Sequence, residues 1–376
     1  MNLDRRVAQG QGLTGLNLAM HTLEYPLQLI LPLVILALSI FSVWPYLGDV
    51  WQVGSFSTRF WPILSGWVGQ IFQIPQDTIL NWFVILGYIL GPVVFYEMVY
   101  AFSGRHLPAF LTGLLTILPN TPFANTAPER LRLVLVEQDG AHILGLTLLA
   151  WIAVVYLRYL RKGKMLTLGL FGLLVIFLAS ISIFTVTLLL VFMVFECISE
   201  ILVNEGRIKL KRFGLSLVVV AAVVVAVYNV FLWSIIVSNE GREAWAVVWN
   251  LFPMSFFLLP VLGTFAFLIF DRRPNLQPVF IALSLAITFG LLHGMRSNVT
   301  SLSVVDPDRY IAEVSMASAF VIGIVVTWIF DFLRGGKGLS RWPKLMANRL
   351  RLAFGLVLSL LVILVALIIF IPRSIS

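Results

Sequence analysis

Apolar residues in this chain run in long unbroken blocks, separated by short basic or acidic punctuation, rather than in the alternation of a half-buried strand. Charge is absent from 25–48, 213–239, 244–270 and 352–372. A helix needs roughly 20 apolar residues to cross about 30 Å of hydrocarbon. Read this way, the pattern predicts about eleven transmembrane helices, near 26–47, 77–102, 107–119, 140–159, 165–179, 182–202, 213–238, 245–270, 275–294, 309–333 and 352–371. After the first block, WPILSGWVGQIFQI (Trp61 to Ile74) is Trp-rich and amphipathic, which predicts a helix lying beside the membrane boundary.

Composition agrees. Hydrophobic residues make up 60% of the 376 and charged residues 12%, with a mean hydropathy of +0.97. Soluble domains carry roughly 45–50% apolar and about 25% charged residues, so lipid must cover part of this surface. The expected fold class is therefore all-α: a polytopic transmembrane helical bundle forming one domain over 1–376, with a short cytoplasmic segment at 1–25. That segment is polar and glycine-rich, and no small-residue cleavage site follows the first apolar run, so the run reads as helix 1 rather than a secretory signal. Cys197 is the sole cysteine and lies in an apolar run, where it reads as a small buried hydrophobe.

The net charge of +8 is mostly an orientation signal, because Lys and Arg favour cytoplasmic loops. With the N-terminus inside, most of the 26 Lys and Arg fall in inner segments, leaving outside Arg59, Arg130, Arg132, Arg242, Arg296, Arg309 and Arg373. This predicts a multi-pass protein of the inner (plasma) membrane, N-terminus cytoplasmic and C-terminus outside. The cations from Arg334 to Arg351 would face anionic headgroups, and no nucleic-acid partner is expected. Met165 to Phe195 is charge-free but flanked by basic residues at both ends, so it must cross an even number of times. Two short helices turning near Ser180 and Ser182 satisfy this and would leave a dip in the outer surface.

Acids and histidines gather at the outer helix ends. Asp49 follows helix 1 at once, and a carboxylate at the lipid boundary suits a general base; a plain helix-end Asp is the simpler reading. Glu137, Asp139 and His142 open helix 4, where Asp139 and His142 share a face. The helix dipole alone accounts for Asp139, and substrate contact or a divalent cation are the other options. A third group joins His293 and Arg296 to Asp306, Asp308, Arg309 and Glu313. Glu313 lies inside the membrane, and an ionisable residue there is a functional candidate. An i, i+4 pair with Arg309 is its simplest fate, while Arg296 or Arg309 suits a phosphate. Glu97 and Glu196 lie near inner helix ends, where snorkelling or pairing explains them.

Other patterns carry little. Gly10, Gly12 and Gly15 have dinucleotide spacing without the βαβ context. Asn298 to Thr300 is a sequon. No internal repeat, Walker motif or HExxH is present.

Three passages resemble the multi-pass GT-C type membrane glycosyltransferases, the YfhO-like bacterial proteins among them. They are Gly48 to Ile74, with its acid, its FSTRFWP loop and its juxtamembrane helix; LGYILGPVVFYEMVYAFSGRHLPAFLTGLLTILPN; and the pair EQDGAHILGL…YLRYLRKGK and VVDPDRYIAEVSMASAF. The resemblance covers about half the chain. It implies transfer of a sugar from a polyprenyl-phosphate donor to an outer-face acceptor, with Asp49 as general base and an outer-loop arginine on the donor phosphate. Asp139, His142, His293, Arg296, Arg309 and Glu313 would be substrate-binding. The first loop has one acid where many such enzymes have two, and no soluble C-terminal domain follows. A lipid or solute transporter is a rival reading, with Pro92, Pro253 and Pro260 inside spans but no repeat to support it. A non-catalytic subunit of a membrane assembly is another.

Overall fold

A computed structural model describes residues 15–47, 56, 58–117, 129–135, 139–203, 206–229, 276–294 and 310–333. Among these the chain is all-α, with no strand. The helices are α1 (Gly15–Val43), α2 (Phe60–Phe72), α3 (Gln76–Ser103), α4 (His106–Leu115), α5 (Glu129–Leu135), α6 (Gly140–Lys162), α7 (Met165–Ile181), α8 (Ile183–Val203), α9 (Gly206–Tyr228), α10 (Gln277–Gly294) and α11 (Ile311–Leu333). A short 3-10 turn, Trp44–Tyr46, closes α1.

Among the described residues five helices are long and apolar enough to cross a membrane: α3, α6, α8, α9 and the Ile311–Trp328 stretch of α11. Stretches of α1, α4, α7 and α10 are apolar but shorter. The chain is a multi-pass helical bundle of membrane type. The spans expected at 245–270 and 352–371 lie outside the described residues.

Burial sorts the helices into interior and periphery. In the apolar window of α6, 83% of residues are buried inside the protein, against 17% for α9. Helix α6 is accordingly the central post, packed by α3, α7 and α8, while α9 leaves most of its surface to lipid. Small residues bring the central helices together. A Cβ at Gly87 would lie 2.7 Å from Leu144 Cδ1, and one at Gly145 would lie 2.6 Å from Thr185 Cγ2. Such contacts are how helices associate where lipid removes the hydrophobic drive between them.

Helix α3 continues through Pro92 without a break. It ends at Gly104 (φ +63), and α6 ends at Gly163 (φ +66), both left-handed caps that glycine adopts without strain. These two turns, with the α8–α9 connection, collect Arg105, Arg158, Arg161, Lys162, Lys164, Arg207, Lys209, Lys211 and Arg212 at one end of the bundle. That basic end is internally tied. Arg161 Nε lies 2.7 Å from Glu200 Oε1, and Lys209 Nζ lies 3.1 Å from Glu200 Oε2. Gln277 Nε2 donates to Glu200 Oε1 at 2.7 Å and Arg161 also donates to the Ala101 carbonyl at 3.0 Å. Lys209 is thereby buried, so part of the basic punctuation belongs to the core.

The two helices expected between Met165 and Phe195, turning near Ser182, are present. Ser182 is extended (φ −156, ψ 126) between α7 and α8, which run back against each other.

Candidate functional site

The end opposite the basic turns gathers the N-termini of α6, α8 and α11, the C-terminus of α10, and α2. Helix α2 is seated on the bundle. Trp61 is buried and its Nε1 donates to Ser180 Oγ at 2.9 Å, while Thr58 Oγ1 donates to the Ser180 carbonyl at 2.8 Å. The Trp61 ring meets Phe83 edge-on at 5.4 Å and stacks on Phe56 at 6.0 Å. The dip expected at the α7–α8 turn is thus occupied by the helix expected beside it. The opposite face of α2 carries Ile63, Trp67 and Ile71, which are 56–75% exposed at helical spacing. An exposed apolar stripe of this kind is what lipid covers.

At this same end lies a buried acid–base pair. His142 Nε2 is 2.9 Å from Glu313 Oε1, with both side chains fully buried. The distance is that of an ion pair, but its direction misses hydrogen-bond geometry, and neither group has a hydrogen-bonded side-chain partner among the described residues. The contact is therefore electrostatic. Aromatic rings wall it in: Phe184 lies 5.4 Å from His142 and 5.6 Å from Tyr310, centroid to centroid.

Asp139 is the N-cap of α6, its Oδ1 accepting from His142 N at 3.2 Å, so the dipole reading of Asp139 holds. His293 lies half-buried in the last turn of α10. Asp49, Arg296 and Arg309, the expected base and phosphate ligands, lie outside the described residues. The described partner of Glu313 is His142, on a helix distant in sequence; the pair expected with Arg309 lies outside the described residues. Among the described residues no group of three His, Cys, Asp or Glu side chains is placed to hold a metal.

Sequence reasoning treated Arg130 as an ordinary loop cation. It sits instead on the short helix α5, only 3% exposed. Its Nη1 donates to the Tyr88 carbonyl at 3.3 Å and its Nη2 to Thr147 Oγ1 at 3.3 Å. The guanidinium also stands over the rings of Tyr88 (4.9 Å) and Phe95 (5.7 Å). Among the described residues it has no carboxylate partner, and its Nε is without an acceptor. Burial draws its pKa down to about 10, still high enough to keep the charge at neutral pH. A buried charge in such a place costs several kcal/mol, roughly, unless something answers it. Gly91 makes room: a Cβ there would fall 2.0 Å from Arg130 Nη2.

The sequence matches no protein-family model and no curated protein.

Proposed function

We propose that this chain is a membrane glycosyltransferase that moves a sugar from a polyprenyl-phosphate donor to an acceptor at the end of the bundle bearing α2. The observation that carries the reading is Arg130, a buried guanidinium with no carboxylate partner among the described residues, lying across α3 at Gly91 and beside Thr147 of α6. A phosphate is the counter-ion its planar fork suits. The resemblance of Gly48 to Ile74 to the GT-C type enzymes assigns Asp49 the role of general base, just ahead of α2. An acceptor hydroxyl would pass its proton to Asp49 as its oxygen attacks the anomeric carbon. The polyprenyl phosphate leaves with the bonding pair, held by Arg130. His142, Glu313, His293, Arg296 and Arg309 complete the polar lining, and a divalent cation is not required by this scheme. The basic end is cytoplasmic in this proposal, by the distribution of Lys and Arg, which puts transfer on the outer face.

The test is transfer of labelled sugar from polyprenyl phosphate by the purified chain in vesicles. Asp49→Asn should abolish transfer, and Arg130→Gln should raise the donor KM. Full activity in Asp49→Asn would remove the assignment of the base, and no transfer with any polyprenyl-linked sugar would remove the enzyme.

The buried His142–Glu313 pair favours a second reading, a proton-coupled transporter, since acid–imidazole pairs inside membranes serve as proton relays. Solute uptake driven by a pH gradient, lost in Glu313→Gln, would select it.

A further inference from the structure

The basic end holds a cavity of about 780 Å³ between α1, α3 and α6, within the rough 300–1,000 Å³ range of small-molecule sites. One wall is aromatic. The rings of Tyr96 and Tyr100 are parallel to within 2° at 6.2 Å, and Tyr100 stacks on His106 at 4.6 Å. Hydrogen bonds fix this shelf: Tyr96 Oη to His106 Nδ1 at 2.8 Å, and Gln28 Nε2 to Tyr100 Oη at 2.8 Å, which ties α1 to α3.

Among the described residues three charged side chains line the space: Glu97, Arg158 and Arg161. Arg161 is committed through all three nitrogens, to Glu200, the Ala101 carbonyl and Gln277. Arg158 is exposed and lines the cavity together with Glu97. Among its described residues the cavity therefore offers one guanidinium and one carboxylate beside tyrosine faces. On α1, Leu29 lines the cavity and Leu33 follows one turn on, 70% and 59% exposed, as an apolar ridge. At Gly104 no atom lies within 4 Å of where a side chain would begin, so that edge stays open.

A ligand matching these features carries a phosphate and an ammonium on one short headgroup, joined to apolar chains. We propose that the cavity binds the headgroup of a zwitterionic phospholipid of the phosphoethanolamine type. Its phosphate meets Arg158, its ammonium meets Glu97 and the tyrosine faces, and its chains lie along Leu29 and Leu33. An anionic glycerol headgroup also brings its phosphate to Arg158 but has no ammonium to answer Glu97. The site is at the far end from α2 and stands independently of the glycosyltransferase reading.

The experiment is native mass spectrometry of the purified full chain, exposed to an equimolar mixture of dioleoyl phosphatidylethanolamine and dioleoyl phosphatidylglycerol. The wild type should retain the ethanolamine lipid over the glycerol lipid about fivefold, the scale of one charge contact at a membrane surface. Arg158→Gln should lower retention of both lipids, Glu97→Gln should erase the preference, and Lys211→Gln, an exposed change outside the cavity, should alter neither. Soluble phosphoethanolamine should displace the retained lipid from the wild type where inorganic phosphate does not. This arm decides the matter even if a variant fails to fold. Equal retention of the two lipids by the wild type, an Arg158→Gln protein that behaves like Lys211→Gln, or displacement by inorganic phosphate as effective as by phosphoethanolamine would each overturn the proposal.

Discussion

His142 and Glu313 meet at 2.9 Å inside the bundle, neither exposed to solvent, and so join the start of α6 to the start of α11. Removing one member strands the other in a medium that cannot solvate it. We expect Glu313→Ala to lower stability by about 3–5 kcal/mol, with His142→Phe in a Glu313→Leu background recovering much of that loss, as apolar replacement of whole buried pairs does. Unfolding in mixed micelles, followed by tryptophan fluorescence, measures both. A double variant no better than the worse single one would show that the pair is not the source of the cost.

Gly91 is a second point of leverage. Its missing side chain is what lets the Arg130 guanidinium lie across α3. Gly91→Ala should displace that group from Tyr88 and Thr147 and cost about 1–3 kcal/mol, the usual range for overpacking. Gly169→Ala, on the exposed side of α7 with nothing within 4 Å, is the control. It should be neutral or gain up to about 1 kcal/mol from helix propensity. Equal effects of the two would mean the Arg130 seat is soft.

The sequence made much of this legible and hid the rest for physical reasons. Long apolar helices are visible because lipid demands an unbroken apolar stretch: 77–102 was expected where Gln76–Ser103 is helical, and 182–202 where Ile183–Val203 is. The turn at Ser182 followed from charge alone, since two basic flanks on one side require an even crossing. Helix α1 starts at Gly15 instead of near 26, because hydropathy marks the apolar part of a helix and not its end. Arg130 was missed because α5, at seven residues, is too short to display a period. The burial of Lys209 was missed too: a cation in a loop-like stretch reads as solvated until its carboxylate, Glu200, is brought to it. Pairing across distant helices, as in His142 with Glu313, leaves no mark in local spacing.

The seat of α2 is testable through Trp61. Trp61→Phe keeps most of the ring but loses the hydrogen bond to Ser180 Oγ, and should cost about 1 kcal/mol. Trp61→Ala should cost about 3–5 kcal/mol and free α2 locally. Amide hydrogen exchange over 60–75 is the readout, and it should rise in both variants, more in the alanine one. Unchanged exchange in Trp61→Ala would place the anchor of α2 elsewhere.

At the basic end, Glu200 is the hub and Arg161 its best-placed partner. Glu200→Ala should be the most damaging change there, about 3–5 kcal/mol, since it strands two cations. Arg161→Lys should also be costly, because an ammonium cannot reproduce a fork that reaches Glu200, Ala101 and Gln277 together. Melting temperatures in detergent should fall in the order Arg161→Gln, Arg161→Lys, wild type, lowest first. A lysine variant as stable as wild type would reduce the fork to a simple point charge.

The same junction bears on how the chain is made. Arg161, Glu200 and Lys209 belong to α6, α8 and α9, which leave the ribosome before α10 does. The carboxylate of Glu200 is therefore answered by two cations as soon as that four-helix segment, α6 to α9, has been threaded into the bilayer. Gln277 arrives later and docks as a neutral amide, donating to Glu200 and accepting from Arg161. Biogenesis thus does not have to bring a lone charge through lipid to finish this end: α10 enters a notch whose ions have already found one another.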